Sequence, residues 1–227
     1  MTLLIAEDQP LELEIEGLPA ASARTWLFAP EVRRRFVRVQ AHRSITIEPA
    51  HPAYARLLHW ARSDSHGLKR FEMAAQYRTA LDVISDQQAF DAWIGRLLDE
   101  HQQPHFPPNP RLEYLLALTD ANIEGGTTAE QIWQQFRQRY PSSQAHCSHW
   151  LQSCIGVPLR KLILWNKLRR AMEFLSESKP ATEVAHAVGF ADSAHLSRIC
   201  LRTFGLNPSQ ANDHKILQVS RLGDSQY

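Results

Sequence analysis

The side chains best suited to chemistry lie near the C-terminal end of the chain, between residues 181 and 209. At helical spacing, one face of this segment carries hydroxyl, imidazole and guanidinium groups, which hydrogen-bond to nucleic-acid bases and phosphates. Arginine also pairs bidentately with guanine in the major groove. The residues that we predict to face DNA in this segment are Ser193, His195, Ser197, Arg198 and Arg202.

The pattern around these side chains predicts a helix, a tight turn and a second helix. Val184 and Val188 are apolar at helical spacing, and Gly189 tolerates the left-handed backbone that ends a helix sharply. Asp192 or Ser193 can cap the helix that follows. The residues expected to face inward on that helix are Leu196, Ile199, Cys200 and Phe204. A protruding helix of this kind suits insertion into the major groove of DNA.

Two stretches of this region resemble the AraC/XylS family of bacterial transcription regulators. Gly189–Arg198 with Phe204–Pro208 is similar to the family's second helix-turn-helix, and Gly156–Ala171 is similar to its linker helix. The resemblance covers residues 112–212 and implies an all-α, seven-helix domain with two helix-turn-helix units joined by one long helix. It also implies an activator that contacts double-stranded promoter DNA and RNA polymerase. Cys200 stands where the family usually has phenylalanine.

The first helix-turn-helix unit departs further from the family pattern. The interval from Trp133 to Ser143 is longer than usual, and Tyr140-Pro141 interrupts it. The usual polar and basic base-contacting residues are replaced by a stretch rich in histidine. We expect this unit to face DNA with Ser143, Gln144, His146 and His149.

Two groups of basic residues are further binding candidates. Candidate phosphate contacts lie in the segment similar to the linker helix: Arg160, Lys161, Lys167 and Arg169. The alternative for this group is a solvated helix face. Candidates for binding an anionic effector lie in the N-terminal half: Arg33, Arg35 and Arg38. The alternative for that group is a solvated strand edge paired with glutamates.

Patterns typical of catalysis and metal binding are missing. The sequence has no Gly-rich phosphate loop, nucleophile elbow or paired-carboxylate pattern, so we expect neither an enzyme nor a cofactor. The spacings His101-x-x-x-His105 and His146-x-x-His149 lack a third ligand, so no metal site is expected. Cys147, Cys154 and Cys200 form no CxxC pair, and packed thiols are favoured over redox sensing.

A proline-rich segment, residues 104–111, divides the chain into two regions. Residues 1–103 predict an α+β domain, a small sheet followed by helices. The resemblance to the AraC/XylS family implies that this is a reduced cupin-like domain for effector sensing and homodimerisation. The predicted strands are Leu11–Glu16, Arg24–Phe28, Arg35–Val39 and Ser44–Glu48, with Gly17-Leu18-Pro19 as a break. The predicted helices begin near Tyr54, cover Lys69–Ile84, and include Phe90–Leu98 behind a Ser85–Gln88 capping box.

After the linker, residues 112–215 predict the helical DNA-binding domain, and residues 216–227 a tail. The first predicted helix starts near Leu112 and ends at Gly125-Gly126. A second follows a Thr128–Gln131 capping box, and a third follows Pro141 and continues as far as Ile155. The remaining predicted helices are Leu159–Ser176, Ala181–Val188, Ser193–Phe204 and a short tail helix after Pro208.

Charge distribution supports this division. The 227 residues carry 25 basic and 24 acidic side chains, a net charge of +1. Residues 1–103 hold 12 basic and 14 acidic residues, net −2, whereas residues 104–227 hold 13 and 10, net +3. Composition is that of a globular chain, with 44% hydrophobic residues and no apolar run long enough to span a membrane.

The sequence therefore supports a cytoplasmic, sequence-specific transcription regulator with a DNA-binding C-terminal domain. Its N-terminal domain would respond to a small effector and form a homodimer. The alternative is a protein-interaction or sensor module whose DNA binding is lost or weakened, because the net charge of +3 is modest for a nucleic-acid binder.

Overall fold

The computed structural model describes residues 1–38, 40–123, 127–177, 179–204 and 207–208. The chain divides into two compact units, the first formed by Met1–Pro108 with Ser153–Gly156, and the second by Asn109–Gln152 with the described residues from Val157 to Pro208. The change from one unit to the other at Pro108 falls inside the proline-rich segment.

Seven strands in the described residues of the first unit form two antiparallel sheets. The four-stranded sheet has the order β6-β1-β4-β7, with strands Thr2–Ala6 (β1), Thr25–Phe28 (β4), His42–Thr46 (β6) and Leu68–Phe71 (β7). The three-stranded sheet has the order β3-β2-β5, with strands Leu11–Ile15 (β2), Leu18–Ala23 (β3) and Arg34–Phe36 (β5).

One apolar core joins the two sheets. The predicted alternation of β2 is confirmed, since Leu11, Leu13 and Ile15 are buried while the glutamates between them are half-buried. From the other sheet, Trp26 and Phe28 of β4 belong to the same buried cluster. Sheet packing of this kind removes apolar surface from water and is the main stabilising term of the unit.

In the described residues, three helices complete the first unit: Tyr54–Arg62 (α1), Ala75–Leu81 (α2) and Gln87–Glu100 (α3). The predicted helix over Lys69–Ile84 is wrong in its first part, because Leu68–Phe71 pairs with β4 as an edge strand. The predicted Ser85–Gln88 capping box is also wrong. Asp86 caps α3, with its carboxylate accepting the Ala89 N–H at 2.8 Å.

The described residues of the second unit contain six helices and no strand. The helices are Pro110–Ala121 (α4), Ala129–Arg139 (α5), Gln144–Ile155 (α6), Leu159–Ser176 (α7), Ala181–Ala187 (α8) and Ser193–Phe204 (α9). The Thr128–Gln131 capping box of α5 is confirmed. Helix α4 begins earlier than predicted, because Pro110 occupies its first turn and Asn109 caps it.

The predicted fold class is confirmed, an α+β N-terminal region followed by a helical one. Three predictions lie outside the described residues: the helix end at Gly125-Gly126, the tail helix after Pro208 and the tail 216–227. None of the helices in the described part of the chain has the length and apolar character needed to cross a membrane.

Candidate nucleic-acid interface

Helices α8 and α9 form a helix-turn-helix whose turn is specified by Gly189. The glycine has φ of +74°, and its N–H donates to the His186 carbonyl at 3.1 Å. The Phe190 N–H donates to the Ala185 carbonyl at 2.8 Å, which completes a Schellman motif at the end of α8. Phe190 is itself buried and fills the corner between the two helices.

Helix α9 is held by its cap and by its inward face. The Asp192 carboxylate accepts the N–H of His195 at 2.6 Å, so Asp192, rather than Ser193, caps the helix. Leu196 and Cys200 are fully buried in a core shared with α7 and α8, and Ile199 packs against it. This agrees with the inward face expected from the sequence, while the side chain of Phe204 lies outside the described part.

The opposite face of α9 is exposed to solvent. Arg198 and Arg202 are exposed, whereas His195 is half-buried, with its ring centre 5.4 Å from that of Phe190 and the two rings nearly perpendicular. Ser193 and Ser197 are half-buried, and the Ser197 hydroxyl donates to the Ser193 carbonyl at 2.8 Å. The two arginines are therefore the side chains of this set that project furthest from the helix surface.

Helices α5 and α6 form the first helix-turn-helix, and Tyr140-Pro141 lies in the turn between them. Ser143 caps α6, since its hydroxyl accepts the His146 N–H at 3.2 Å. Cys147 and Leu151 face the core of the unit and are fully buried. The residues of α6 proposed from the sequence, Gln144, His146 and His149, are exposed, as are Ala145 and Gln152.

Stacking between arginine and aromatic rings ties α6 to its neighbours. The Arg111 guanidinium of α4 lies 4.0 Å from the Trp150 ring centre and 5.5 Å from that of Phe136. Arg139, at the end of α5, lies 4.7 Å from the ring centre of Tyr114. These cation–π contacts hold three helices together beneath the exposed face of α6.

The basic residues of α7 separate into two groups. Arg160 and Lys161 are exposed near the start of the helix. Lys167 donates to the Gly189 carbonyl at 3.2 Å, which places its ammonium at the turn between α8 and α9.

Arg169 makes ion pairs with Asp120 of α4 and, at 3.0 Å, with Glu173, a carboxylate only 5% exposed. Arg170 pairs with the same Glu173 at 2.9 Å. Asp120 and Glu173 were not identified from the sequence, although the i, i+4 spacing of Arg169 and Glu173 is a recognised signal for an ion pair.

The three cysteines are free thiols, two of them buried. Cys147 and Cys200 are buried and Cys154 is half-buried. Burial raises the pKa of the Cys200 thiol to about 11, which keeps it protonated and unreactive. Among the residues of known placement, His, Cys, Asp and Glu form no cluster of three that could hold a metal ion.

The N-terminal arginines lie beside glutamates of the neighbouring strand. Arg35 of β5 donates to Glu14 of β2 at 2.5 Å, and Arg33 lies 3.6 Å from Glu16. The side chains of these pairs border an open surface depression of about 440 Å³. Arg38 is exposed.

The chain is similar to one protein-family model and to several solved structures. The family model described as a helix-turn-helix domain matches residues 138–214, which include α6 to α9. A sequence comparison with curated proteins gives no match.

Among solved structures, an apo variant of ToxT from Vibrio cholerae superposes with a TM-score of 0.63 at 12% identity, covering 96% of this chain and 89% of that one. ToxT from the same organism with an unsaturated fatty acid bound gives a TM-score of 0.60 at 13% identity, covering 97% and 88%. An AraC-type regulator from Chromobacterium violaceum gives 0.41 at 24% identity, covering 45% and 89%.

The likeness to ToxT extends over nearly the whole chain and concerns the fold. The matched domain contains both the α8–α9 helix-turn-helix and the long helix α7. Residues 138–214 therefore match a helix-turn-helix domain, a type of domain that binds DNA.

Proposed function

We propose that this chain binds specific promoter sequences through α6 and α9 and activates transcription from them. The observation that carries the proposal is the division of α9 into two faces. Leu196 and Cys200 anchor one face in the core, while the opposite face leaves Arg198 and Arg202 exposed. A helix anchored in this way can enter the major groove without rearrangement of its own unit.

The dimensions and chemistry of α9 suit direct contact with base edges. Its 12 residues span roughly 18 Å, and the major groove is about 12 Å wide. Arg198 lies in the middle turn of the helix, where a guanidinium can donate to both acceptors of a guanine. His195 and Ser193 lie in the first turn, the part of a recognition helix that lies deepest in the groove.

Helix α6 would contact a second, adjacent segment of the groove. Gln144 is exposed in the first turn, and glutamine donates and accepts with the edge of adenine. His146 and His149 lie on the same exposed face and can hydrogen-bond bases or phosphates. The Ser143 hydroxyl already accepts a backbone N–H, so we assign it first to capping and second to a phosphate contact.

Phosphate contacts come from α7 and the recognition helices. Arg160 and Lys161 are exposed at the start of α7 and are the main candidates on that helix. Lys167 and Arg169 have partners within the protein, Gly189 for one and Asp120 with Glu173 for the other. We therefore propose that Lys167 and Arg169 position the helix-turn-helix and contribute less to phosphate binding.

The N-terminal unit would supply effector sensing and homodimerisation. ToxT has been solved with an unsaturated fatty acid bound, and the fold of this chain resembles it. An anionic effector at Arg33 and Arg35 would have to compete with Glu16 and Glu14 for the guanidinium groups. Arg38 is exposed and close to these residues in the sequence. The proposed effector site therefore consists of Arg38 and the two ion pairs, in which an anion would displace the glutamates.

Binding of the full-length protein to duplexes from upstream of its own operon tests this function. The expected result in a gel shift is a complex that random duplexes of equal length compete away poorly. The affinity of this complex should fall steeply as the salt concentration rises. The matched control replaces both Arg198 and Arg202 with alanine on the exposed face, which leaves the core of α9 intact. Equal binding to all duplexes, or none, would support the protein-interaction alternative instead.

A further inference from the structure

The exposed face of α9 has two flanks of different chemistry. With 3.6 residues per turn and Arg198 at the centre, His195 and Arg202 lie to one side and Ala194 and Leu201 to the other. Ala194 is exposed, and Leu201 is 53% exposed. An apolar flank therefore runs along the helix beside the two arginines.

Packing among the described residues of the domain does not account for Leu201. The inward positions of α9 are filled by Leu196 and Cys200, which are fully buried, with Ile199 beside them. Four large apolar side chains are exposed in the described residues, and of these Leu201 alone lies in the second compact unit. Leaving this side chain in solvent forgoes the free energy that its burial would release.

We propose that Leu201, together with Ala194, recognises the C5-methyl groups of thymine in the sequence bound by α9. This inference rests on the proposed function and specifies part of the target sequence. In the major groove thymine differs from cytosine by its methyl group, and apolar side chains contact that methyl. The flanking Arg198 and Arg202 favour DNA as the occupant of this face, because their charges complement phosphates and guanine edges.

The spacing of the two apolar residues sets the spacing of the thymines. Ala194 and Leu201 are separated by two helical turns, roughly 10 Å along the axis. Successive base pairs are about 3.4 Å apart, so two methyl groups about three base pairs apart would meet the flank. Arg198 lies between these positions on the same face, which places a guanine contact between the two thymines.

The test removes single methyl groups from the DNA. The full-length protein first selects its site from a library of random duplexes, and its affinity is then measured by fluorescence anisotropy. Each thymine of the site is replaced in turn by deoxyuridine, which lacks only the C5-methyl. At the position facing Leu201 we expect binding to weaken about fourfold, the factor for burying one methyl group.

Variants of the protein assign the effect to one side chain. Leu201→Ala should bind the thymine and uracil duplexes equally at that position, whereas Leu201→Met, which keeps an apolar side chain, should still prefer thymine. Arg198→Ala should weaken binding yet retain the preference for the methyl group.

The inference would be overturned if replacing thymine with uracil changed the affinity at no position. It would also be overturned if Leu201→Ala kept the full preference for thymine over uracil. Either result would leave specific binding intact. A selection that enriches no sequence would instead overturn the proposed function.

Discussion

Replacing Gly189 with alanine tests how the turn between α8 and α9 is built. The residue has φ of +74°, a conformation that costs an alanine about 1–2 kcal/mol. A Cβ at this position would also lie 3.0 Å from the Lys167 Nζ. Because that ammonium is the end of a flexible side chain, it can move away, but it then loses its 3.2 Å hydrogen bond to the Gly189 carbonyl.

The lost hydrogen bond adds about 0.5 kcal/mol, since it is exposed. We therefore expect Gly189→Ala to lower the free energy of unfolding by about 1.5–2.5 kcal/mol, measured by urea denaturation. Affinity for specific DNA should fall as well, because the turn sets the orientation of α9.

Two other glycines serve as matched controls. Gly17 has φ of +82° with no atom within 4 Å of the place that an alanine methyl would take, so Gly17→Ala should show the backbone strain alone. Gly95 lies within α3 with the same free space, so Gly95→Ala should stabilise the protein by about 0.5–1 kcal/mol. In a Lys167→Ala background, the cost of Gly189→Ala should approach that of Gly17→Ala. An unchanged stability of Gly189→Ala would refute the proposed turn geometry.

Three further predictions concern the cap of α9, the basic residues of α7 and the buried His51. Asp192→Ala removes the cap of α9 and should cost about 1 kcal/mol in urea unfolding, while Asp192→Asn should retain most of it. Arg160→Ala should reduce the slope of log affinity against log salt by about 0.9 for each lost phosphate contact, whereas Arg169→Ala should lower stability and leave the slope unchanged. Burial lowers the pKa of His51 from 6.5, so the unfolded chain binds more protons there and stability should fall as pH drops below about 6.5. Replacing His51 with Gln should flatten that part of the pH profile of urea unfolding.

Each of these predictions has an outcome that would contradict it. If Asp192→Asn and Asp192→Ala lower the free energy of unfolding equally, the Asp192 side chain does not stabilise α9 as a helix cap. A reduced salt slope in Arg169→Ala would show that this arginine leaves its ion pairs to contact DNA. A pH profile that is the same with and without His51 would mean that the imidazole does not contribute to acid destabilisation.

Local patterns predicted the C-terminal helices well. Leu159–Ser176 and Ser193–Phe204 have the predicted bounds because their apolar periodicity and their capping or turn residues agree. The faces of α9 also followed from periodicity, since burial of Leu196 and Cys200 determines which residues remain outside. Local information was sufficient there because each helix is defined by contacts close in sequence.

The N-terminal strands depended more on distant contacts. Leu68–Phe71 fits a helical spacing with later residues, yet it pairs with Thr25–Phe28, forty or more residues away in the sequence. Pro19 was interpreted as part of a break but lies in β3, an edge strand where a missing N–H is tolerated. Neither pairing leaves a signal within a short window of sequence.

Two partners of the α7 basic residues, Asp120 and Gly189, were likewise beyond local patterns. Arg169 reaches Asp120, and Lys167 reaches Gly189, only because α7 packs against α4 and against the turn of the helix-turn-helix. A sequence shows that these side chains are basic but not that they are already paired. The structure thus shows that Arg169 and Lys167 have partners within the domain.

The most direct test of the central claim compares Arg198→Ala with the unchanged protein on a specific and a random duplex. If Arg198 contacts a base, the variant should lose about 1–3 kcal/mol of binding free energy on the specific duplex and little on the random one. Arg160→Ala, the matched surface control, should weaken both complexes alike. An equal loss for Arg198→Ala on the two duplexes would contradict base recognition by α9 and reduce Arg198 to a phosphate contact.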